Sequence, residues 1–236
     1  MKTILGIIPA RSGSKGLKNK NIKMFAGKPL IYWTIKEAKK AKNITKLIVS
    51  TDSNKIASLA KKYKAEIPFL RPESISKDQS SSFKLMKHAI DYYKKNKITF
   101  DYLVLLEPTS PLRTSKDIDY CIDYMTKNKI KSLVSVCEVK SQHPENLLKL
   151  GKNKKLILKK NRFIPRRQML ENFFYPDGSI YISEVNLLMK SKTFYNQETH
   201  AIIFPDWKAF EIDDINDFIF VENLFKIKKN LDRKIK

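Results

Sequence analysis

The feature that most constrains this chain is its alternation of apolar, strand-like runs with helical patterns. Residues 3–8 (TILGII) read as a first strand. Residues 29–42 read as a helix, with Pro29 suited to its first turn and Ile31, Ile35 and Ala38 on one face. Residues 46–51 (KLIVST) form a second strand and 54–63 a second helix. EIPFL (66–70) reads as a short third strand. Ser81 or Ser82 can cap the next helix, which carries Phe83, Met86, Ile90 and Tyr93 at helical spacing. YLVLLE (102–107) is continuously apolar until its last residue, the pattern of a strand buried on both faces. A helix over 117–127 and a strand over 132–139 follow.

This βαβα order predicts an α/β fold of three layers, a mostly parallel sheet flanked by helices. Ligands in such folds lie beyond the carboxyl ends of the strands. From about residue 140 the pattern degrades, with mixed polarity, many lysines and a hairpin expected near Gly151. Residues 140–175 are therefore read as a dimerisation or substrate-lid extension within a single domain spanning 1–236. Regular pattern returns with a strand over 179–183 and the run AIIF. The last helix is expected over 215–228, with Phe218, Val221, Leu224 and Phe225 facing inward.

Composition narrows the classes of function. No apolar stretch approaches the ~20 residues that span a bilayer, and no secretory leader pattern follows Lys2. Cys121 and Cys137 lack metal or disulfide spacing and fall in apolar runs, as buried thiols of a reducing compartment do. The expected location is the cytoplasm. The formal charge of +23 raises the question of nucleic acid. Its lysines are spread along the chain on expected helix surfaces, and no nucleic-acid-binding motif accompanies them, so neither nucleic acid nor membrane is expected as a partner. His88, His143 and His200 lie far apart in sequence and suggest no histidine-based site.

The chemistry concentrates in IPARSGSKGLKNKN (8–21), directly after the first strand. Gly13 and Gly16 permit backbone shapes that aim N–H groups at an anion. Ser12 and Ser14 add hydroxyl donors, and Arg11 and Lys20 add a planar fork and a mobile point charge. Neither the GxxxxGK[ST] nor the GxGxxG pattern is present. The alternative is a basic surface turn, and position after strand one favours a phosphate loop. Further along, two prolines rigidify the exit of a buried strand in LLEPTSPLRT. Glu211 and Asp213 in FEIDD alternate so that they share a face, and can hold Mg²⁺. Asp213 or Asp214 can equally cap the final helix.

IPARSGSKGLKNKN followed by GKPLIYWTI resembles the N-terminal signature of the acylneuraminate cytidylyltransferases, the CMP-sialic acid synthetases. The resemblance continues through STDS, FLRPESIS, PTSPLRT, PDGSIYI and FEIDD in the family's order, nearly the whole chain. It implies a Rossmann-like nucleotidyltransferase fold, a homodimer, CTP and a nonulosonic acid as substrates, and Mg²⁺ as cofactor. By the same resemblance Arg11 grips the triphosphate, while Lys20 and Asn21 stabilise the reacting α-phosphate. Ser12, Gly13 and Ser14 complete the nucleotide loop. Arg71 contacts the cytidine part, against a surface or capping role, and Ser82 lies near the nucleotide, against a plain helix cap. Glu107 and Tyr181 face the sugar, against a structural carboxylate and a core tyrosine. Arg166 reaches the sugar carboxylate across a dimer interface, or Arg167 does if the register slips. Asp213 and Glu211 bind metal. Two positions depart from the family pattern: Glu107 stands where glutamine is usual and Glu211 where aspartate is usual. A nucleotide-sugar-dependent glycosyltransferase is the alternative enzyme, although no DxD motif follows the central strand. A basic nucleic-acid-binding protein is the alternative of another class.

Overall fold

The structure is a computed structural model that describes residues 2–77, 79–140, 142–157 and 166–234. In chain order the elements are β1 (Ile4–Pro9), β2 (Met24–Phe25), β3 (Lys28–Pro29), α1 (Leu30–Lys40), β4 (Lys46–Ser50), α2 (Asn54–Lys62), α3 (Ser82–Lys95) and β5 (Tyr102–Leu105). They continue with α4 (Ser115–Lys127), β6 (Ser132–Glu138), β7 (Lys149–Leu150), β8 (Leu156–Ile157), β9 (Phe174–Glu184), α5 (Val185–Ser191), β10 (Thr199–Ile203) and α6 (Ile215–Lys234). The main sheet runs β10-β6-β9-β5-β1-β4. β1 pairs in parallel with β4 and β5, and β10 with β6, while β9 lies antiparallel between β5 and β6.

The expected three layers are present. On one face α1, α2 and α4 bury Ile31, Ile35, Ile56, Ala60, Ile118 and Ile122 against the sheet. On the other, α3 and α5 bury Leu85, Met86, Ala89, Tyr93 and Leu188. A third cluster joins Leu17, Phe25, Leu112 and Ile212 to Phe218 and Val221 of α6. Leu17, Leu112 and Ile212 belong to the three motif-bearing loops, so α6 is the element that holds those loops together.

Local chemistry explains the helix starts. Thr114 and Asp117 form a capping box at α4, and the Ser53 hydroxyl accepts the Ile56 N–H at α2. Ser81 takes the cap position of α3 without a side-chain bond, and Ser82 is the first helical residue.

EIPFL is not a strand. It makes only single bridges, Glu66 to Ile48 and Leu70 to Thr51. Pro68 has no N–H to donate, so a ladder cannot continue through it. The strand expected over 179–183 is longer and runs antiparallel, with Gly178 in a left-handed conformation (φ 66°) within it.

Within residues 140–175, β7 and β8 form the expected hairpin. His143 fastens its base: Nε2 lies 2.9 Å from the Glu171 carbonyl, and Nδ1 accepts the Glu145 N–H. Residues 158–165, including the start of IPRRQ, lie outside the described residues.

Candidate active site

β1 lies between β4 and β5 in the sheet and runs parallel to both. Their carboxyl ends open into a cavity of about 590 Å³, where an α/β sheet is expected to bind its ligand. One wall is basic. Arg11, Lys15 and Lys20 reach it from the loop after β1, and Arg71 and Lys77 from the segment after the Leu70 bridge.

The loop is folded by its own residues. Asn19 enters a 3₁₀ turn over Lys20–Ile22 from a left-handed conformation (φ 57°). Asn21, buried, donates from its amide to the Arg11 carbonyl at 3.0 Å. Ser12 donates from N–H and hydroxyl to Asp52 at 2.9 and 2.7 Å. The Lys20 ammonium donates to the Ile212 carbonyl at 2.7 Å and pairs with Asp213 at 3.1 Å. A Cβ on Gly16 would stand 2.4 Å from the Asp213 carbonyl oxygen, so glycine there permits the two loops to touch.

Arg71 is buried beside Asp52, with its Nη2 3.9 Å from the carboxylate and its Nε bonded to Ser76. Burial lowers its proton affinity, and Asp52 opposes that shift. Nη2 makes no hydrogen bond among the described residues, which leaves a buried donor at a cavity edge.

A second wall is acidic: Glu107, Glu211 and Asp213 line it. Burial pushes the Glu107 carboxyl up to about 7, helped by repulsion from Glu211 and opposed by Arg113, Lys20 and Arg71. Burial also raises Glu211, with Asp213 and Asp177 adding repulsion. The Glu211 carboxyl lies over Gly178, where a Cβ would fall within 0.9 Å of Oε1. Arg113, fully inside the protein, braces the loop below by donating to the carbonyls of Ser179 and Glu107 and to the Thr34 hydroxyl. Its proton affinity falls to about 10 through burial.

Residues 5–232 match the family profile described as cytidylyltransferase. The chain belongs to the cytidylyltransferase family. It is 34% identical over 220 residues to an N-acylneuraminate cytidylyltransferase of Escherichia coli, covering 91% of this chain but 50% of that protein. The chain thus spans about half the length of that relative. It is 32% identical over 230 residues to a CMP-N,N'-diacetyllegionaminic acid synthase of Legionella pneumophila, covering 96% of this chain and 97% of that one. The fold superposes, at TM-score 0.69 and 14% identity, on a CMP:2-keto-3-deoxy-manno-octonic acid synthetase complexed with CTP, covering 96% of this chain and 99% of that one.

Most of the residues singled out from sequence converge on this cavity. Arg11, Ser14, Lys20, Asn21, Arg71, Ser82, Glu107, Tyr181, Glu211 and Asp213 all line it. Gly13 sits in open space, with nothing within 4 Å of the point where a Cβ would stand. Ser12 turns away toward Asp52 and borders a small separate hollow. Arg166 is exposed and does not line the cavity of its own chain. Lys15, within the same glycine-containing run, also lines it. Sequence reading also passed over Asp52 and Arg113, whose work is to hold the loops. Their signals were present in STDS and PTSPLRT, but nothing in either motif states which loop a charged group will brace. No helix among the described residues is long and apolar enough to cross a membrane.

Proposed function

We propose that this chain transfers CMP from CTP to the anomeric hydroxyl of a nine-carbon 2-keto sugar acid, releasing pyrophosphate. The observation that carries this reading is the division of one cavity into a basic wall and an acidic wall at the carboxyl ends of β1 and β5. A triphosphate needs the first. The sugar and a cation suit the second. The activities named for the E. coli and Legionella relatives support the same reading.

In it, the sugar oxygen attacks the α-phosphorus and the bond to pyrophosphate breaks. Negative charge grows on the α-phosphate and on the leaving oxygen. Arg11 and Lys20 stabilise that charge, with N–H groups of the 11–16 loop, so catalysis is mainly positioning and electrostatics. Asn21 acts by fixing the Arg11 backbone through its 3.0 Å bond. Arg71 presents to the nucleoside its Nη2, which is ion-paired with Asp52 but makes no hydrogen bond among the described residues.

Glu211 and Asp213 fit a divalent metal. They are hard oxygen donors whose mutual repulsion a cation would relieve. Among the described residues no group of three potential ligands converges, which leaves places for phosphate oxygens and water. Mg²⁺ suits that set, and when bound it would neutralise triphosphate charge. Lys20 holds Asp213 in its place until then.

The working unit in this reading is a homodimer. The extension exposes Leu150, Leu156 and Met169 at 69%, 58% and 75%, an apolar surface that water does not favour. Packing against a second copy would cover it and carry Arg166 toward the partner's sugar site. Light scattering tests this, and a clean monomer overturns the arm assignment. The reaction itself is tested with CTP, Mg²⁺ and a panel of sugar acids. Activation yields pyrophosphate, whereas glycosyl transfer yields free nucleotide. Arg11→Ala and Asp213→Ala proteins that fold normally yet keep full CTP-dependent pyrophosphate release would overturn the assignment.

A further inference from the structure

Lysines that lie far apart in the sequence are gathered at one end of the fold. α1, α2, α3 and α4 end in the stretches KKAK (39–42), KKYK (61–64), KKNK (94–97) and KNKIK (127–131). β1, β4, β5 and β6 all point the same way, because β9 is antiparallel to both β5 and β6. α1, α3 and α4 each lead into one of these strands, and the segment after α2 bridges β4 in parallel. The four helix ends therefore lie at the amino ends of the strands, away from the cavity at the carboxyl ends. Backbone bonds tie this end together. The N–H groups of Thr45, Asp101 and Glu184 donate to the carbonyls of Ile4, Thr3 and Lys131.

The four stretches hold twelve lysines, no acid and no arginine, so they set the charge of this end. All twelve are exposed. Among the described residues only Lys40 and Lys131 of the twelve form ion pairs, with Glu37 and Glu198. Other bordering acids are engaged elsewhere: Glu66 by Lys46, Asp91 by Lys87, Asp101 by Lys2 and Asp123 by Asn43. A lysine in the last turn of a helix complements the helix dipole. The dipole does not account for Lys64, Lys97 and Lys129. They lie beyond the helices in left-handed conformations (φ 60°, 60° and 55°), where glycine is ordinarily favoured. Ile98, 45% exposed, follows Lys97 directly, and Tyr124 is exposed near the end of α4.

We propose that this lysine-rich end docks the protein on an anionic lipid surface, with the nucleotide cavity turned away from the membrane. A leaflet of acidic lipids attracts each lysine weakly, so a broad array is needed, and four helix ends supply one. α3 lies on one face of the sheet and α1, α2 and α4 on the other, so the charge spreads across the domain and does not follow a groove. That breadth suits a plane of headgroups better than a nucleic-acid backbone. The residue type agrees, because no arginine in these stretches offers the planar fork used for bidentate phosphate and base recognition. Ile98 and Tyr124 add the apolar and interfacial contacts that charge alone does not supply. The inference is independent of the proposed reaction and leaves the cavity mouth open to solvent.

The test is sedimentation of the full chain with lipid vesicles. One set is phosphatidylcholine alone, and the other is phosphatidylcholine with phosphatidylglycerol at about two to one. Binding to the acidic vesicles is expected to be at least about tenfold tighter, and to be lost at about 0.5 M salt, where screening shortens the reach of the charges. Two variants of equal net charge separate place from composition. The first changes Lys61, Lys62, Lys94 and Lys95 to glutamine. The second changes Lys23, Lys28, Lys55 and Lys116, which are exposed and precede or open α1, α2 and α4 at the other end. The first is expected to weaken vesicle binding about tenfold or more, and the second by less than about twofold. Thermal melts check that both fold. Equal binding of wild type to the two vesicle sets overturns the proposal, as does an equal loss in the two variants. Tighter retention on a short DNA duplex than on acidic vesicles, at one salt concentration, overturns it in favour of nucleic acid.

Discussion

Arg11, Lys15 and Lys20 on the basic wall come from one continuous stretch, whereas the acidic wall is assembled from parts more than a hundred residues apart. Glu107 follows β5, Glu211 and Asp213 precede α6, and Gly178 of β9 supplies the floor beneath Glu211. The two walls meet where Lys20 bonds to Ile212 and Asp213 and where Gly16 touches the Asp213 carbonyl. The basic stretch carries its own turn, its own internal bond from Asn21 to Arg11, and a glycine at its point of contact. The acidic wall has no local logic of that kind. It depends on Arg113 and on the third hydrophobic cluster, which fix the separate loops in register.

The largest test of this contrast is Lys20→Met, which removes the group that serves both walls. Loss of one electrostatic stabiliser of a developing anion commonly lowers kcat by about 10²- to 10³-fold. A fall of that size is expected in single-turnover pyrophosphate release, with thermal unfolding used to confirm a folded protein. A change of less than tenfold would mean that the lysine only ties loops together.

A second test of the acidic wall is Gly178→Ala. A side chain there needs a left-handed backbone, which disfavours non-glycine residues by about 1–2 kcal/mol. It would also displace the Glu211 carboxyl from its present position. The expected result is lower stability in urea melts together with weaker activation by Mg²⁺. Unchanged metal activation would show that Glu211 is not a ligand.

Glu107→Gln reads the acidic wall through pH. The folded protein holds the Glu107 proton up to about pH 7, whereas the unfolded chain releases it near the ordinary value of 4.5. The raised affinity therefore favours folding below the unfolded value, and that advantage is lost as pH rises through 7. Each pKa unit corresponds to about 1.4 kcal/mol, so the ionised carboxylate disfavours the fold by roughly 3 kcal/mol at pH 8. The glutamine variant lacks this burden. It is expected to be more stable than wild type at pH 8, with the difference shrinking toward pH 5 in paired urea melts. Equal stability at both pH values would mean that the carboxyl is well solvated.

The same contrast governs what could be seen in the sequence. Periodicity and capping chemistry expose β1, α1, α2, α4 and the inner face of α6, because each is decided within a few residues of itself. The turn within 8–21 and its bond from Asn21 to Arg11 are decided just as locally. The direction of β9 was not, since alternation in SIYIS marks a strand without saying which neighbours it joins. EIPFL misled because apolar content outweighed the missing N–H of Pro68. The charged surroundings of Glu107 and the brace provided by Arg113 are products of tertiary packing. No motif at those positions encodes the distant groups that face them.

A last test separates the two glycines of the basic stretch, which composition alone makes equivalent. A methyl group at Gly13 meets nothing within 4 Å, whereas one at Gly16 meets the Asp213 backbone at 2.4 Å. Backbone cannot rotate out of the way as a side chain can, so Gly16→Ala must part the two walls. It is expected to lower stability by about 1–3 kcal/mol, the usual range for overpacking. Gly13→Ala is expected to change stability by less than about 0.5 kcal/mol, as surface substitutions do. Any effect of Gly13→Ala should then appear in the KM for CTP, because bound phosphate would be the only new neighbour of the methyl group. If both variants lose stability equally, the loop is shaped by glycine flexibility throughout. If Gly16→Ala alone does, the demand for glycine comes from the second wall pressing on the first.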